Sequence, residues 1–384
     1  MTGPSLAYRN QGDNLLYFAV GEVIRAHYCN RVEITAFSAT PDTDRITSQA
    51  PWLKIVNPRR EPLRAARILL RADVYFIAGA IPFHDNLRLM AQQFLYALVC
   101  RVRGRKVIVN AVSVQPIETM LCRLLFRWTV RIAHVFTVRD EGAATIAEAL
   151  GVRVPMERAV DPGFIHTAAE PTVVDEIWRA ERLPERVRVT GIGPRLFLNH
   201  GRYADPRYHF KNEYEEYSDE ELDDYYKAMA AVADELACRG PVVFVSLSTR
   251  LPPGDDRQAC RWIIARMQRS ERAYVIEGEY SAAELMGILS RFDLYISTRL
   301  HGYALSVGAG VPTIAVEFHP KMRGLAQELD VEDWVIPLRG MDSLELSSVA
   351  RMILGNLEVA TARLHRNLRL ARKKAIFQIT DALP

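Results

Sequence analysis

Two cations and a histidine stand at turns of an otherwise apolar stretch, STRLHGYALSVGAGVPTIAVEFHPK, which runs from Ser297 to Lys321. The preceding DLYIST has the pattern of a buried strand and HGYALSVGAG that of a short helix. Arg299 and His301 therefore fall between the carboxyl end of a strand and the start of a helix. Open α/β sheets bind ligands at such positions, and the first N–H groups of a helix attract negative charge. These residue types predict an anion site.

Two further strand ends bring cations to the same region. TIAVEF is predicted as the next strand, so Lys321 follows its carboxyl end, and RVTGIGPRLF places Arg195 after another strand. Arginine binds phosphate and carboxylate groups through two parallel hydrogen bonds. One arginine at a strand end is more often a surface salt-bridge partner, and one histidine before a helix is more often a cap. The convergence of four such residues instead favours a ligand that carries both a phosphate and a carboxylate.

The composition is that of an ordinary globular protein with two or three domains: 384 residues, of which 49% are hydrophobic and 25% charged. The 49 basic and 46 acidic residues leave a net charge of +3, too small to indicate nucleic acid as the main partner. The five cysteines lack CxxC spacing, and no histidine or acidic cluster has metal-ligand spacing, so neither a disulfide framework nor a metal site is predicted. Without a secretory signal or a long apolar run, we expect a cytoplasmic protein.

Short apolar runs alternate with amphipathic stretches along the chain, which is typical of α/β proteins with parallel sheets. The polar, proline-bearing segment 167–187 is weakly periodic and predicts a domain boundary. The domains would be 1–175 and 186–384, with the last helix able to pack back on the first domain. We therefore predict two Rossmann-like domains facing across a cleft. The first strand of the N-terminal domain allows two interpretations. Either SLAYR, residues 5–9, is a short form of that strand, or the edge of the sheet differs from that of an ordinary Rossmann-like domain.

The run STRLHGYALSVGAGVPTIAVEFHPKMRG resembles the signature of the polysaccharide pyruvyl transferases. Other blocks resemble that family in order: NQGDN, ADVYFIAGAIPFHD, VIVNAVSVQPI, FTVRDEGAATIAEALGV with DPGF after it, and VTGIGPRLF. The resemblance extends from Asn10 to about Trp334. It implies a fold of the GT-B type and transfer of pyruvate from phosphoenolpyruvate to a saccharide as a cyclic ketal. It further implies a role in cell-surface polysaccharide or glycoconjugate biosynthesis, with neither cofactor nor metal.

The resemblance also implies roles for the residues that match its motifs. Arg195 and Arg299 would bind the phosphate and carboxylate of the donor, with Lys321 and Gly302 as further donor contacts. His301 would be the acid–base residue, and imidazole suits that role because its pKa lies near neutrality.

Candidate acceptor residues lie in the first domain. Asn10 and Asp13 stand at the start of the first helix, where they are either ordinary caps or hydrogen-bond partners of sugar hydroxyls. Asp85, at another strand end, is a weaker candidate of the same kind. Two turns depart from the family pattern: residues 78–80 read AGA where GGG is usual, and residues 113–116 read SVQP where GxGP is usual. These departures leave the acceptor sugar and its hydroxyl pair open.

Two other segments allow two interpretations each. The long aromatic loop NHGRYADPRYHFKNEYEEYSDE is either a cover for the acceptor or a surface excursion. The basic amphipathic stretch ATARLHRNLRLARKKAIF, and the basic CRLLFRWTVRIAH, would suit contact with the inner membrane surface and a lipid-linked acceptor. Both stretches would equally suit helices whose basic face is solvated. The C-terminal one would then pack across the two domains.

Two rival functions fit parts of the same pattern. A GT-B glycosyltransferase would bind the diphosphate of a nucleotide sugar at the same helix start and could use Glu317 to recognise the ribose, but Arg195 and Lys321 would then have no role. A non-catalytic saccharide-binding protein has no use for a helix-start histidine flanked by cations. The sequence leaves the oligomeric state open.

Overall fold

The computed structural model places the chain in two compact units. The first comprises Met1–His166 with Ala371–Pro384, and the second comprises Thr167–Leu370. The residues that the structure describes are 1, 11–38, 43–79, 81–185, 187–197, 217–249 and 255–384, with the side chains of 11–14, 44 and 45 outside the description.

The first unit is a Rossmann-like layer structure. Its helices are α1 (Gln11–His27), α2 (Thr43–Gln49), α3 (Pro62–Arg71), α4 (Leu87–Val102), α5 (Met120–Ile132) and α6 (Glu141–Ala149). Its strands are β1 (Ile34–Phe37), β2 (Leu53–Val56), β3 (Val74–Ala78), β4 (Lys106–Val112), β5 (Val135–Val138) and β6 (Glu157–Arg158). β1 pairs with β2, and the other four strands form a parallel sheet in the order β3-β4-β5-β6.

Helices cover both faces of this four-stranded sheet because its strands are apolar on both sides. Successive side chains of a strand point to opposite faces. Tyr75 and Ile77 accordingly join one core with Phe126 of α5, whereas Phe76 joins a second core that includes Ile379 from the end of the chain. α4 and α5 therefore pack on the opposite face of the sheet from the C-terminal residues.

The second unit holds a larger parallel sheet. Its helices are α7 (Pro171–Ala180), α8 (Asp219–Ala237), α9 (Arg257–Ile264), α10 (Ala282–Leu289), α11 (Leu300–Gly308), α12 (Lys321–Glu328), α13 (Ser343–Gly355) and α14 (Leu357–Asp381). Its strands are β7 (Thr190–Gly193), β8 (Val242–Phe244), β9 (Ala273–Val275), β10 (Leu294–Ser297), β11 (Thr313–Glu317) and β12 (Val335–Pro337). The order is β12-β11-β10-β7-β8-β9, so the direction of chain progression reverses between β7 and β10. Ligands of open α/β sheets bind at such a switch point.

The predicted α/β class with two Rossmann-like domains is confirmed, and two local interpretations need correction. The segment 167–187 is not simply an irregular boundary: Pro171 begins α7, and Val174 and Ile177 are buried. Proline is favourable at the first helical position because that residue needs no N–H partner there. The short run VRVPME, residues 152–157, also predicts a strand, but the strand there is β6, which begins only at Glu157. SLAYR lies outside the described residues.

The units also differ from the predicted ranges 1–175 and 186–384. The division falls between His166 and Thr167, and α14 contributes Ala371–Asp381 to the first unit. No helix in the described ranges is both long and apolar enough to cross a membrane.

Candidate active site

Strand register brings the two predicted arginines to the same level of the second sheet. In the parallel pair β7–β10, Gly193 lies opposite Ser297. Arg195 and Arg299 each follow two residues later, so both leave the carboxyl edge of the sheet side by side. The pair β10–β11 sets Ser297 opposite Ala315, which places the end of β11 next in the row. The predicted anion-binding cations thus come from adjacent strand ends at the switch point.

Tyr225 of α8 connects these two strand ends. Its hydroxyl accepts the backbone N–H of Arg195 at 3.2 Å and lies 2.9 Å from Thr298 Oγ1. Because the Arg195 N–H donates to this oxygen, the tyrosine proton is available to Thr298. Burial raises the pKa of the Tyr225 phenol, so the hydroxyl stays neutral and keeps its proton at physiological pH.

Aromatic rings surround the guanidinium of Arg195. The side chain is buried, and its Cζ lies 4.3 Å from the ring centroid of Phe318 and 5.4 Å from that of Phe197. A guanidinium over an aromatic face gains cation–π attraction, which grows when water is excluded. The rings therefore fix a positive charge at this strand end.

A buried carboxylate that the sequence analysis did not identify orients Arg299. Arg299 Nε donates to Asp256 Oδ2 at 2.9 Å, and Nη2 donates to Oδ1. Asp256 is fully buried and also accepts the N–H groups of Leu196, at 3.0 Å, and Ser248, at 3.1 Å. One edge of the planar guanidinium is thereby fixed, which sets the direction of the other. The available signal was an acid just before a helix, together with the counterion that a largely buried arginine requires.

The first turn of α11 begins at this arginine. Arg299 is the N-cap residue, but its side chain turns to Asp256 and does not cap the helix. Ser297 Oγ closes the preceding turn by donating to the Arg299 carbonyl at 2.9 Å. A Cβ on Gly302 would lie 2.6 Å from that Oγ, so glycine permits the helix to approach the strand end. The half-buried His301 is the second residue of the helix, where backbone N–H groups and the helix dipole favour an anion.

The next strand end carries Lys321 as the first residue of α12. Its N–H donates to His319 Nδ1 at 3.1 Å. Glu317, the residue that a nucleotide-sugar enzyme could use for ribose, accepts two hydrogen bonds from Arg323 at 2.7 and 3.1 Å. Its carboxylate is therefore engaged within its own segment.

The predicted acceptor residues are only partly described. Asn10 lies outside the described residues, and so does the side chain of Asp13, whose backbone belongs to α1. Asp85 Oδ2 accepts the N–H groups of Glu118 at 3.1 Å and Thr119 at 3.0 Å. This carboxylate thus organises the turn before α5, and its contact with an acceptor stays a prediction.

A buried polar network occupies the carboxyl ends of β4 and β5 in the first unit. Arg139 donates from Nε to Ser113 Oγ at 2.9 Å and from Nη1 to Asp161 Oδ2 at 3.0 Å, and Ser113 Oγ donates to Asp140 Oδ2. Ser113 stands at the turn that departs from the family pattern, and its hydroxyl is needed by this network. Of the two alanines in the other departing turn, Ala78 ends β3 and Ala80 lies outside the described residues. Among the described residues, no group of three or more histidine, cysteine or acidic side chains could hold a metal.

We expect Gly193→Ala to destabilise the second unit by about 3 kcal/mol, since overpacking a rigid core has costs of this order. A Cβ at this position would lie 1.9 Å from Tyr295 Oη, so the glycine is required by the ring that crosses β7. The matched control is Gly324→Ala in α12, where an added Cβ meets no atom within 4 Å. That variant should gain about 0.5–1 kcal/mol from reduced backbone entropy. Urea unfolding measures both, and equal stabilities would contradict the packing assignment.

The chain is similar in sequence to proteins of one known family. The sequence profile of the polysaccharide pyruvyl transferase family matches residues 10–320. The amylovoran biosynthesis protein AmsJ of Erwinia amylovora is 25% identical over 138 residues, which are 35% of this chain. The match spans 33% of that protein's length.

Solved structures share the fold at low identity. The UDP-GlcNAc 2-epimerase of Neisseria meningitidis, bound to UDP-GlcNAc, has a TM-score of 0.60 at 10% identity, with 100% of this chain and 99% of that chain covered. A glycosyltransferase of Rickettsia africae has a TM-score of 0.58 at 12% identity, with coverages of 99% and 98%. The ADP-heptose heptosyltransferase II of E. coli has a TM-score of 0.51 at 13% identity, with 93% of this chain and 98% of that chain covered. These similarities show the GT-B type of fold.

Proposed function

The chain belongs to the polysaccharide pyruvyl transferase family, and from this premise we propose that it transfers pyruvate from phosphoenolpyruvate to two hydroxyls of a saccharide, forming a cyclic ketal in surface polysaccharide or glycoconjugate biosynthesis. One observation supports phosphoenolpyruvate as the donor. Arg195 and Arg299 stand side by side beyond the paired residues Gly193 and Ser297, at a helix start. Phosphoenolpyruvate bears a phosphate and a carboxylate on one carbon, which suits two adjacent cations.

The reaction requires one proton to be delivered and two to be removed. The methylene carbon of phosphoenolpyruvate takes a proton and becomes the methyl group, while the adjacent carbon develops oxocarbenium character. Two saccharide hydroxyls form C–O bonds to that carbon and lose their protons, and its bond to the phosphate oxygen breaks. Of the two protons that the hydroxyls lose, one replaces the proton given to the methyl group, and the other is carried away by the released hydrogen phosphate.

Each predicted residue has a task in this scheme. His301 protonates the methylene carbon, because an imidazole near neutrality can give and regain a proton in each turnover. Arg195 and Arg299 bind the two anionic groups and stabilise the charge that moves onto the leaving phosphate. The first-turn N–H groups of α11, including that of Gly302, and the Lys321 ammonium supply further anion contacts.

A nucleotide-sugar glycosyltransferase is the second candidate function. The fold similarity to glycosyltransferases and to the UDP-GlcNAc-bound epimerase favours it. The engagement of Glu317 by Arg323 and the presence of two arginines at one sheet edge favour the pyruvyl donor. We therefore place the nucleotide sugar second.

Donor binding distinguishes the two functions. We expect phosphoenolpyruvate to raise the melting temperature of the protein, since a ligand that binds only the folded state stabilises it. Uridine and guanosine diphosphate sugars should produce no shift, and Arg299→Ala should abolish the shift with phosphoenolpyruvate. Phosphate release with a panel of saccharides then names the acceptor class. A shift with a nucleotide sugar, and none with phosphoenolpyruvate, would reverse the order of the two candidates.

A further inference from the structure

One face of α5 exposes apolar side chains to solvent. Met120 is 80% exposed, Trp128 is 46% exposed, and Leu121 and Leu124 are similarly open. The helix already buries Cys122 and Phe126 in the core, so the exposed apolar residues are additional to those that hold it in place. On an ideal helix these four residues span about 100° of arc, which makes one continuous stripe.

A second stripe on the same helix is basic. Arg123, Arg127 and Arg131 repeat every four residues and are all exposed. They occupy about 80° of arc, which overlaps the edge of the apolar stripe and extends from there toward the buried face. The Cζ of Arg131 lies 5.8 Å from the ring centroid of Trp128, so the two stripes are in contact.

The neighbouring helix continues this character. α4 packs against α5 and exposes Leu95 and Val102. The two helices together contain five arginines and no acidic residue. Since the whole chain has nearly as many acidic as basic residues, this is a local concentration of positive charge.

A groove beside the two stripes adds one arginine from outside α5. Its volume is about 600 Å³, and its lining includes Leu124, Trp128, Arg127, Arg131 and Arg153. An apolar side and several guanidinium groups in one concavity suit a ligand with an acyl part and a phosphate, because guanidinium binds phosphate bidentately.

We propose that α5 lies against an anionic lipid surface, with its apolar stripe entering the interfacial region and its arginines contacting lipid phosphates. Amphipathic helices with basic polar faces bind such surfaces in this orientation. Charge complementarity selects this occupant, because all charged residues of α5 are arginines and such a helix attracts a densely anionic surface. The proposal does not depend on the identity of the donor.

The other basic amphipathic helix, α14, serves as the comparison. It buries Leu364, Leu368 and Ile379 but also exposes Leu370 and Phe377. Its exposed Lys373 and Lys374 lie on the helix that packs against the other face of the first sheet. These two lysines therefore offer a control with the same change of net charge.

Vesicle sedimentation of the full chain tests the proposal. We expect binding to phosphatidylcholine vesicles that contain 30% phosphatidylglycerol, and little binding to pure phosphatidylcholine. Arg127→Gln combined with Arg131→Gln should weaken binding about 30-fold, given the contribution of each basic residue near an anionic surface. Lys373→Gln combined with Lys374→Gln should leave it unchanged. Equal losses in the two double variants would overturn the assignment to α5, as would equal binding to the two vesicle types.

Fluorescence quenching locates the contact without relying on a loss of binding. All five tryptophans are described, and Trp128 alone is exposed while the others are partly or fully buried. Brominated acyl chains should quench its emission in the bound state. Trp128→Phe should bind the vesicles normally but lose the quenching. Quenching that persists in Trp128→Phe would overturn the proposal. A wild-type protein that is a dimer in solution, and that Leu124→Ser dissociates, would also overturn it, because the apolar stripe would then face a second copy of the chain.

Discussion

His301→Ala is expected to lower the turnover number by about 10²–10⁴-fold, the range that one positioned acid–base group contributes. The reason is that the methylene carbon of the donor is a weak base and needs a proton source held against it. The arginines and the helix start remain in this variant, so the melting-temperature shift with phosphoenolpyruvate should persist. Steady-state phosphate release and thermal shift together make the measurement.

The control for His301 lies at the opposite edge of the same sheet. His365 is 2.9 Å from the carbonyl of Gly310, which precedes β11 and so stands at the amino edge, away from the switch point. His365→Ala should keep turnover within a few-fold of wild type. Normal turnover in His301→Ala would assign proton transfer to another group. Loss of the phosphoenolpyruvate shift in that variant would instead make His301 a donor-binding residue.

Asp256→Asn should have the second large effect, on both stability and donor affinity. The change removes the charge that balances Arg299 at a fully buried position. Loss of one partner of a buried ion pair costs about 3 kcal/mol of unfolding free energy, because the other charge stays desolvated. Arg299 also loses its fixed orientation, so the KM for phosphoenolpyruvate should rise about tenfold or more, with a smaller change in kcat. Urea unfolding and initial rates at varied donor concentration measure the two effects.

The adjacent acid provides the comparison. Asp255 pairs with Arg257 in a partly exposed contact, and Asp255→Asn should cost at most about 1 kcal/mol without changing the KM. A folded Asp256→Asn protein with the wild-type KM would show that Asp256 only stabilises the fold. The positioning role requires the affinity loss to exceed that of the Asp255 variant.

The sequence predicted the strand ends of the site but not its internal contacts. Arg195, Arg299 and Lys321 could each be placed after a strand because the apolar runs before them are short and bounded. Their common position after strands predicted that they converge. Their actual proximity depends on the pairing of β7 with β10, which lie about a hundred residues apart in the chain. Local patterns carry no information on which distant strand becomes a neighbour.

Asp256 shows the limit more clearly. Its sequence neighbours indicate an ordinary helix start, and its importance arises from the residues that converge on it. Leu196, Ser248 and Arg299 follow three different strands, so the carboxylate acquires its role only when β7, β8 and β10 are assembled. The segment of α7 was predicted to be an irregular domain boundary for a different reason. A proline suggests a break in secondary structure, whereas Pro171 is the first residue of a helix.

The division of α14 between the two units has a consequence for synthesis of the protein. Two hydrogen bonds attach the end of the chain to the rest of the first unit. Arg372 donates to the Phe164 carbonyl at 2.7 Å, and Lys106 donates to the Leu383 carbonyl at 3.0 Å. The latter bond joins residues 277 positions apart. Ribosomes add about 5–20 residues per second, so translation of the intervening second unit takes on the order of ten seconds. Throughout that interval Phe76 and Ile108 lack the apolar partners that complete their core, and the nascent first unit cannot finish folding before residues 371–383 emerge.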